Sequence, residues 1–161
     1  MRVGRAVAAG VLGGAIMSLL LWSARDGFEI PVSLALILGT MLGLEPYAWS
    51  TALAGLAMHL SLSALIALIY AWGFERVAHG ADIRVGGIFG LIHAVIAGIA
   101  LGLLPMVHPM IPERLAPLGA FMANLGGVGV AAFFLLHLLF GFIVGAIYAP
   151  VLSRRRLPEV A

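Results

Sequence analysis

An all-α membrane protein with four transmembrane helices is the fold class this sequence predicts, and three observations predict it. Hydrophobic residues make up 63% and charged residues 10% of the 161 positions, and the mean hydropathy of +1.13 exceeds what a water-soluble domain of this size can cover with polar surface. The long apolar runs allow four crossings at about 20 residues each. The chain also repeats itself, since HLSLSALIALIY from His59 to Tyr70 returns as HLLFGFIVGAIY from His137 to Tyr148. Steps of 4, 8 and 11 residues return to one face of a helix. His59, Ser63, Ala67 and Tyr70 therefore form one small-residue stripe, and His137, Gly141, Gly145 and Tyr148 form its counterpart.

The first span is expected over residues 3–22, behind Arg2 and Arg5. Cleavage of this stretch as a secretory signal after Ala24 would put Trp22 where a small residue is required, so it reads as a retained span. Gly10, Gly14 and Met17 share a face, with Gly13 beside them, a surface for close helix contact. After the polar turn SARDGFEIP, the apolar run 32–44 is too short to cross and suits an interfacial or re-entrant helix. The second span covers 49–74, with Trp49 at one end and Tyr70 and Trp72 at the other, as in an aromatic belt. Beyond the polar loop ERVAHGADIR, the third span covers 85–106, with Gly86, Gly90, His93, Ala97 and Ala100 on one face. Pro109, Pro112 and Pro117 interrupt the next stretch and leave a short, imperfect helix over 113–125. The fourth span covers 128–152, and SRRRLPEVA closes the chain.

Arginine placement orients these elements. The nine basic residues are all arginine, and with both termini on one side that side holds seven (Arg2, Arg5, Arg76, Arg84, Arg154, Arg155, Arg156) against Arg25 and Arg114 on the other. This positive-inside bias predicts cytoplasmic termini, and the plasma (inner) membrane is the expected location. The halves correspond further, because RVG at 2–4 recurs at 84–86 and Ile30-Pro31 recurs as Ile111-Pro112. The expected architecture is a single membrane domain of two like-oriented helical hairpins, an internal repeat of residues 2–74 and 84–152. Each hairpin carries a short outer-face helix, and a pseudo-twofold axis along the membrane normal relates the two.

The Gly/Ala-rich first span with a methionine (AVAAGVLGGAIM), the GTMLG segment and a last span of the form HLxxGxxxGxxY (HLLFGFIVGAIY) resemble those of short, uncharacterised bacterial and archaeal four-span membrane proteins. The resemblance covers most of the chain. It implies a multi-pass fold and carries no assigned activity.

Candidate chemistry rests on histidine. His59, His93 and His137 each fall near mid-span, where ionisable groups are costly unless they face the bundle interior. His59 and His137 form the symmetric pair and His93 a third candidate for binding haem b or a bare metal ion. Two histidines on different helices suit axial haem ligation, and three imidazoles suit copper or zinc. The structural alternative is that each ring donates a single interhelical hydrogen bond. Met106, His108 and Met110, in MVHPM, offer thioether and imidazole suited to copper(I), with Met41, Met58 and Met122 nearby. Methionine is also a common apolar filler. His79 is expected in solvent.

Other classes find less support. Cysteine is absent, which removes disulfides, thiolate metal sites and iron–sulfur clusters. Ser18, Ser61 and Ser63 lack a carboxylate partner at depth, every acidic residue lies at a span end or in a loop, and no phosphate-binding loop occurs. A net charge of +2 gives no case for nucleic acid. The expected function is cofactor or metal binding for electron transfer or metal handling. A transporter or channel and an accessory subunit of a membrane complex are the alternatives, and a homo-oligomer is expected.

Overall fold

Helix length follows from the apolar runs and from the residues that end them. The computed structural model describes residues 1–28 and 33–155, and the described residues include no strand. α1 runs Val3–Phe28, α2 Leu34–Met41, α3 Trp49–Arg76, α4 Ile83–Leu103 and α5 Gly126–Arg155. Four helical stretches, Val3–Arg25, Trp49–Arg76, Ile83–Met106 and Ala120–Ala149, are long and apolar enough to cross a membrane. Their outward faces carry exposed apolar residues such as Leu19, Leu65, Ile69, Ile92, Ile96 and Leu135. This is the surface a bilayer requires, because lipid solvates apolar side chains and leaves every backbone polar group to the helix.

Local chemistry fixes the starts. Ser33 caps α2, its hydroxyl accepting from the Leu36 amide at 3.1 Å. Asp82 caps α4 by accepting from the Val85 amide at 2.8 Å, and such caps satisfy amides that no preceding carbonyl can reach. At eight residues, α2 is about 12 Å long and cannot cross, as its sequence implies. The second short helix departs from expectation. The region 113–125 forms only the 3-10 segment Ala120–Leu125, and within it Phe121 (φ 55°) and Met122 (φ 60°) are left-handed. Pro109, Pro112 and Pro117 lack the amide a helix needs, so residues 107–119 form turns and irregular backbone. The Ile111–Pro112 peptide is cis, whereas Ile30-Pro31 lies outside the described residues.

Small residues decide which helices touch. On α4, a Cβ at Gly86 would collide with the Gly141 carbonyl and stand 2.9 Å from the Gly145 Cα, and one at Gly90 would stand 2.7 Å from the His137 carbonyl oxygen. The α4–α5 seam is therefore backbone on backbone, the close approach that glycine permits between membrane helices. α1 meets α3 in the same way, through Gly10 and Gly14 against Ser63 and Ala67, and meets α5 through Gly13 against the Phe140 ring. α2 lies on α3 through Gly39 against Thr51 and Gly55 against Ala35. By contrast, α3 and α4 touch little. Their contact centres on Tyr70, whose hydroxyl donates to the Phe89 carbonyl at 2.9 Å, and on Phe89 against Gly73.

The two ends of the bundle differ. At the face carrying the N-terminus, Tyr70, Phe74, Phe140, Val144 and Tyr148 form the main core with Ala6, Ala9 and Ala67. Tyr148 donates to Glu75 at 2.6 Å and accepts from the Arg2 amide at 3.0 Å, and Arg5 Nε donates to the Ile147 carbonyl at 2.6 Å. The opposite face, here called the far face, carries α2 and residues 104–125. Two small clusters lie there, one of Ala94, Met122 and Phe133 and one of Met110, Ile111 and Leu115.

Candidate functional site

The three mid-helix histidines are held in different ways. His137 on α5 donates through Nδ1 to the Phe133 carbonyl one turn earlier, at 2.7 Å. A carbonyl can only accept, so Nδ1 carries the proton, and in the neutral ring Nε2 holds the free lone pair. This is the arrangement by which proteins orient an imidazole that binds a metal through its other nitrogen. His59 on α3 pairs its Nδ1 with the Ser18 hydroxyl of α1 at 2.8 Å. Ser18 thus has a partner at depth, an imidazole rather than a carboxylate. His93 on α4 is different, since its Nδ1 is buried and lacks a hydrogen-bond partner. Buried polar atoms are seldom left so.

The three rings line one cavity of about 200 Å³. Its walls come from all four long helices and from both far-face segments, with Met17, Ser63, Met122, Phe133 and Phe140 beside the histidines. The closest pair is His93 with His137, ring centroids 4.8 Å apart at 77°, rather than the symmetric His59 with His137. The packing explains the change. The α4–α5 glycine seam brings His93 to α5, whereas α3 and α5 meet little. Aromatic rings hold the pair in place: Phe133 lies 4.3 Å from His137, and Tyr70 and Phe140 meet His93 at 6.0 and 5.8 Å.

Haem does not fit this space. An apolar cavity of about 150 Å³ accommodates one benzene molecule, and a macrocycle with propionates is several-fold larger. No arginine lines the cavity to receive propionates, and its nearest histidine pair sits edge to face rather than across a gap. Among the described residues no group of three or more histidine, aspartate or glutamate side chains is placed to hold one ion, so the ready-made element is the His93–His137 pair, with His59 on the same wall.

The MVHPM residues are dispersed by comparison. Met106 is 80% exposed, while Met110 is buried with Ile111 and Leu115. His108 is buried and engages both nitrogens, Nδ1 accepting from the Met110 amide at 3.1 Å and Nε2 donating to the Ile37 carbonyl at 3.0 Å, with the Thr40 hydroxyl 3.3 Å away. It is a strut between α2 and the 104–115 segment. Glu45 and Arg114 join the same two regions, with Arg114 Nη2 donating at 2.8 Å. The guanidinium holds the Glu45 carboxyl below the usual carboxylate range, and the carboxylate raises Arg114. Met41 on α2 and Met58 on α3 lie outside the cavity lining. His79 is exposed, with Nδ1 3.0 Å from the Val77 carbonyl.

No family model, curated protein or solved structure matches the chain. The geometry has to carry the functional reading alone. One cavity residue escapes a reading of the sequence, Met17, which the pattern places on a glycine packing face; Met122 is weighed there with the MVHPM thioethers or as apolar filler, and the structure puts it in the histidine cavity instead. The stripe position of Met17 beside Gly10 and Gly14 is the available signal. Nothing local announces that Met122 turns inward, because its backbone conformation is one the sequence does not encode in a glycine.

Proposed function

We propose that this is a metal-binding membrane protein whose ion is held within the bilayer by His93 and His137, with His59 in the same cavity, for metal handling or electron transfer. The observation that carries the reading is the convergence of three imidazoles from α3, α4 and α5 on one cavity. The Nδ1–H bond of His137 to Phe133 supports the same role by leaving Nε2 as a ligand.

The test is metal analysis of the detergent-purified chain, with absorption spectra before and after dithionite. The expected result is about one transition-metal ion per chain without a Soret band, lost in His93→Ala and His137→Ala while both variants stay monodisperse. A metal-free protein that takes up neither copper nor zinc on titration would refute the proposal.

The arrangement in the membrane belongs to the same proposal. The termini lie in the cytoplasm and the two halves form a like-oriented repeat. The arginine asymmetry and the parallel roles of α1 with α3 and of α4 with α5, each pair joined through small residues, support this. The chain lacks cysteine, so a single introduced thiol reports sidedness. A membrane-impermeant maleimide applied to intact cells is expected to label Glu113→Cys and to spare His79→Cys. The reverse pattern would invert the topology.

A further inference from the structure

We infer that the ion this cavity selects is monovalent copper, an assignment that rests on the metal-binding reading above and adds thioether ligands to it. Four observations lead there. First, Met17 of α1 and Met122 of the far-face 3-10 segment line the same cavity as the three histidines, and both are buried, at 6% and 5% exposure. Thioether sulfur is a soft donor that favours copper(I) over harder divalent ions. Second, the ready-made nitrogen set is a pair, His93 and His137, and the described residues place no three histidine, aspartate or glutamate side chains together. Zinc in proteins takes four nitrogen, sulfur or oxygen ligands, whereas copper(I) is stable with two or three. Third, the cavity wall contains no carboxylate and is otherwise almost wholly apolar. Burying an uncompensated charge there costs free energy that rises with the square of the charge, and a single positive charge is the least expensive.

The fourth observation concerns the backbone that presents Met122. Phe121 and Met122 are both left-handed, between Gly119 and Gly126, which also have positive φ. Two consecutive non-glycine residues in that region are sterically unfavourable. Surrounding contacts hold them, with Phe121 stacked on Phe134 at 5.5 Å and 8° and set against Gly98. On this segment Met122 is buried and lines the cavity. Strain maintained in this way is characteristic of ligand-holding positions.

The experiment uses the full-length, detergent-purified chain and two probes. Copper(I) is delivered as its bicinchoninate complex under ascorbate, and zinc(II) is titrated in competition with a chromogenic chelator. The wild-type protein is expected to withdraw one copper(I) per chain and to bind zinc at least about tenfold more weakly. Met17→Leu and Met122→Leu conserve volume and so keep the fold, and each is expected to weaken copper(I) binding by about tenfold or more, comparable to loss of a supporting contact at a metal site. Copper K-edge spectra should show sulfur in the ligand shell of the wild type and lose that signal in the double variant. Copper(I) affinity within about twofold of wild type in both leucine variants, or zinc binding as tight as copper(I), would overturn the copper assignment and leave a purely imidazole site. Failure of the wild type to bind either ion would remove the metal-binding reading together with this one.

Discussion

Gly90→Ala probes packing and site in one change. An added methyl would stand 2.7 Å from the His137 carbonyl oxygen, 3.2 Å from the Leu138 Cα and 3.3 Å from the His137 carbonyl carbon. Ordinary van der Waals contact begins at 3.4 Å, so relieving the oxygen contact requires α4 and α5 to part by roughly 0.7 Å at this level. Overpacking of that kind costs about 1–3 kcal/mol, more than the roughly 0.5–1 kcal/mol that alanine gains over glycine within a helix. Because Gly90 is one turn from His93 and faces His137 directly, the separation passes to the ligand pair. Metal–ligand distances tolerate about 0.2 Å, so metal affinity should fall by about tenfold or more. Thermal unfolding in detergent and metal titration on the same sample check both effects. Gly127→Ala is the control, since its methyl would meet nothing within 4 Å. If Gly90→Ala matches wild type in both stability and metal affinity, the backbone-on-backbone seam and its hold on the site are refuted.

Two further outcomes test the far face. His108→Ala removes the hydrogen bond to Ile37 and strands the Met110 amide, so it should cost about 1–3 kcal/mol in thermal unfolding while metal binding per folded chain stays at the wild-type level. Loss of metal in that variant would return His108 to the ligand set. For Glu45, whose folded pKa is lowered by Arg114, the stabilising contribution is complete above the ordinary carboxylate pKa and is lost as pH falls through the folded value. The difference in unfolding midpoint between wild type and Glu45→Gln should therefore be small at neutral pH, shrink with salt and shrink further as pH falls below the ordinary carboxylate range. A difference that grew on acidification would show that the pair is not what Glu45 contributes.

Much of the fold is legible because the bilayer writes it in long strokes. Span number and approximate ends come from apolar length, and α2 is marked as too short to cross by the 13 residues of its apolar run. The stripe through His59, Ser63, Ala67 and Tyr70 does face inward, with Ser63, Ala67 and Tyr70 buried, because small residues admit a neighbouring helix. The region 113–125 misleads as a helix since its apolar composition outweighs Pro117 within it and Pro109 and Pro112 just before it, each of which removes an amide. At the site, periodicity places three histidines on inward faces but cannot say which will meet. That depends on which helix pairs approach through glycine, a property of two sequences at once. His93 meets His137 because Gly86 and Gly90 fit against Gly141 and Gly145, and this outweighs the symmetry that suggests His59. Met122 is beyond reach of periodicity, since its direction is set by a left-handed turn.

The sparse contact between α3 and α4 has a mechanical consequence. Tyr70 and Phe89 act as a fulcrum, with the glycine seam to α5 steadying α4 on the same side. From Phe89 the His93 ring is about 6 Å along the helix axis and Leu103 about 21 Å. Any tilt of α4 about that fulcrum is thus magnified more than threefold at the far face relative to the histidines. Beyond the fulcrum the far end of α4 is held by the 3-10 segment instead, with Gly98 against Phe121 and Gly102 against Ala120, so residues 120–125 rather than α3 set where that end of the helix stands.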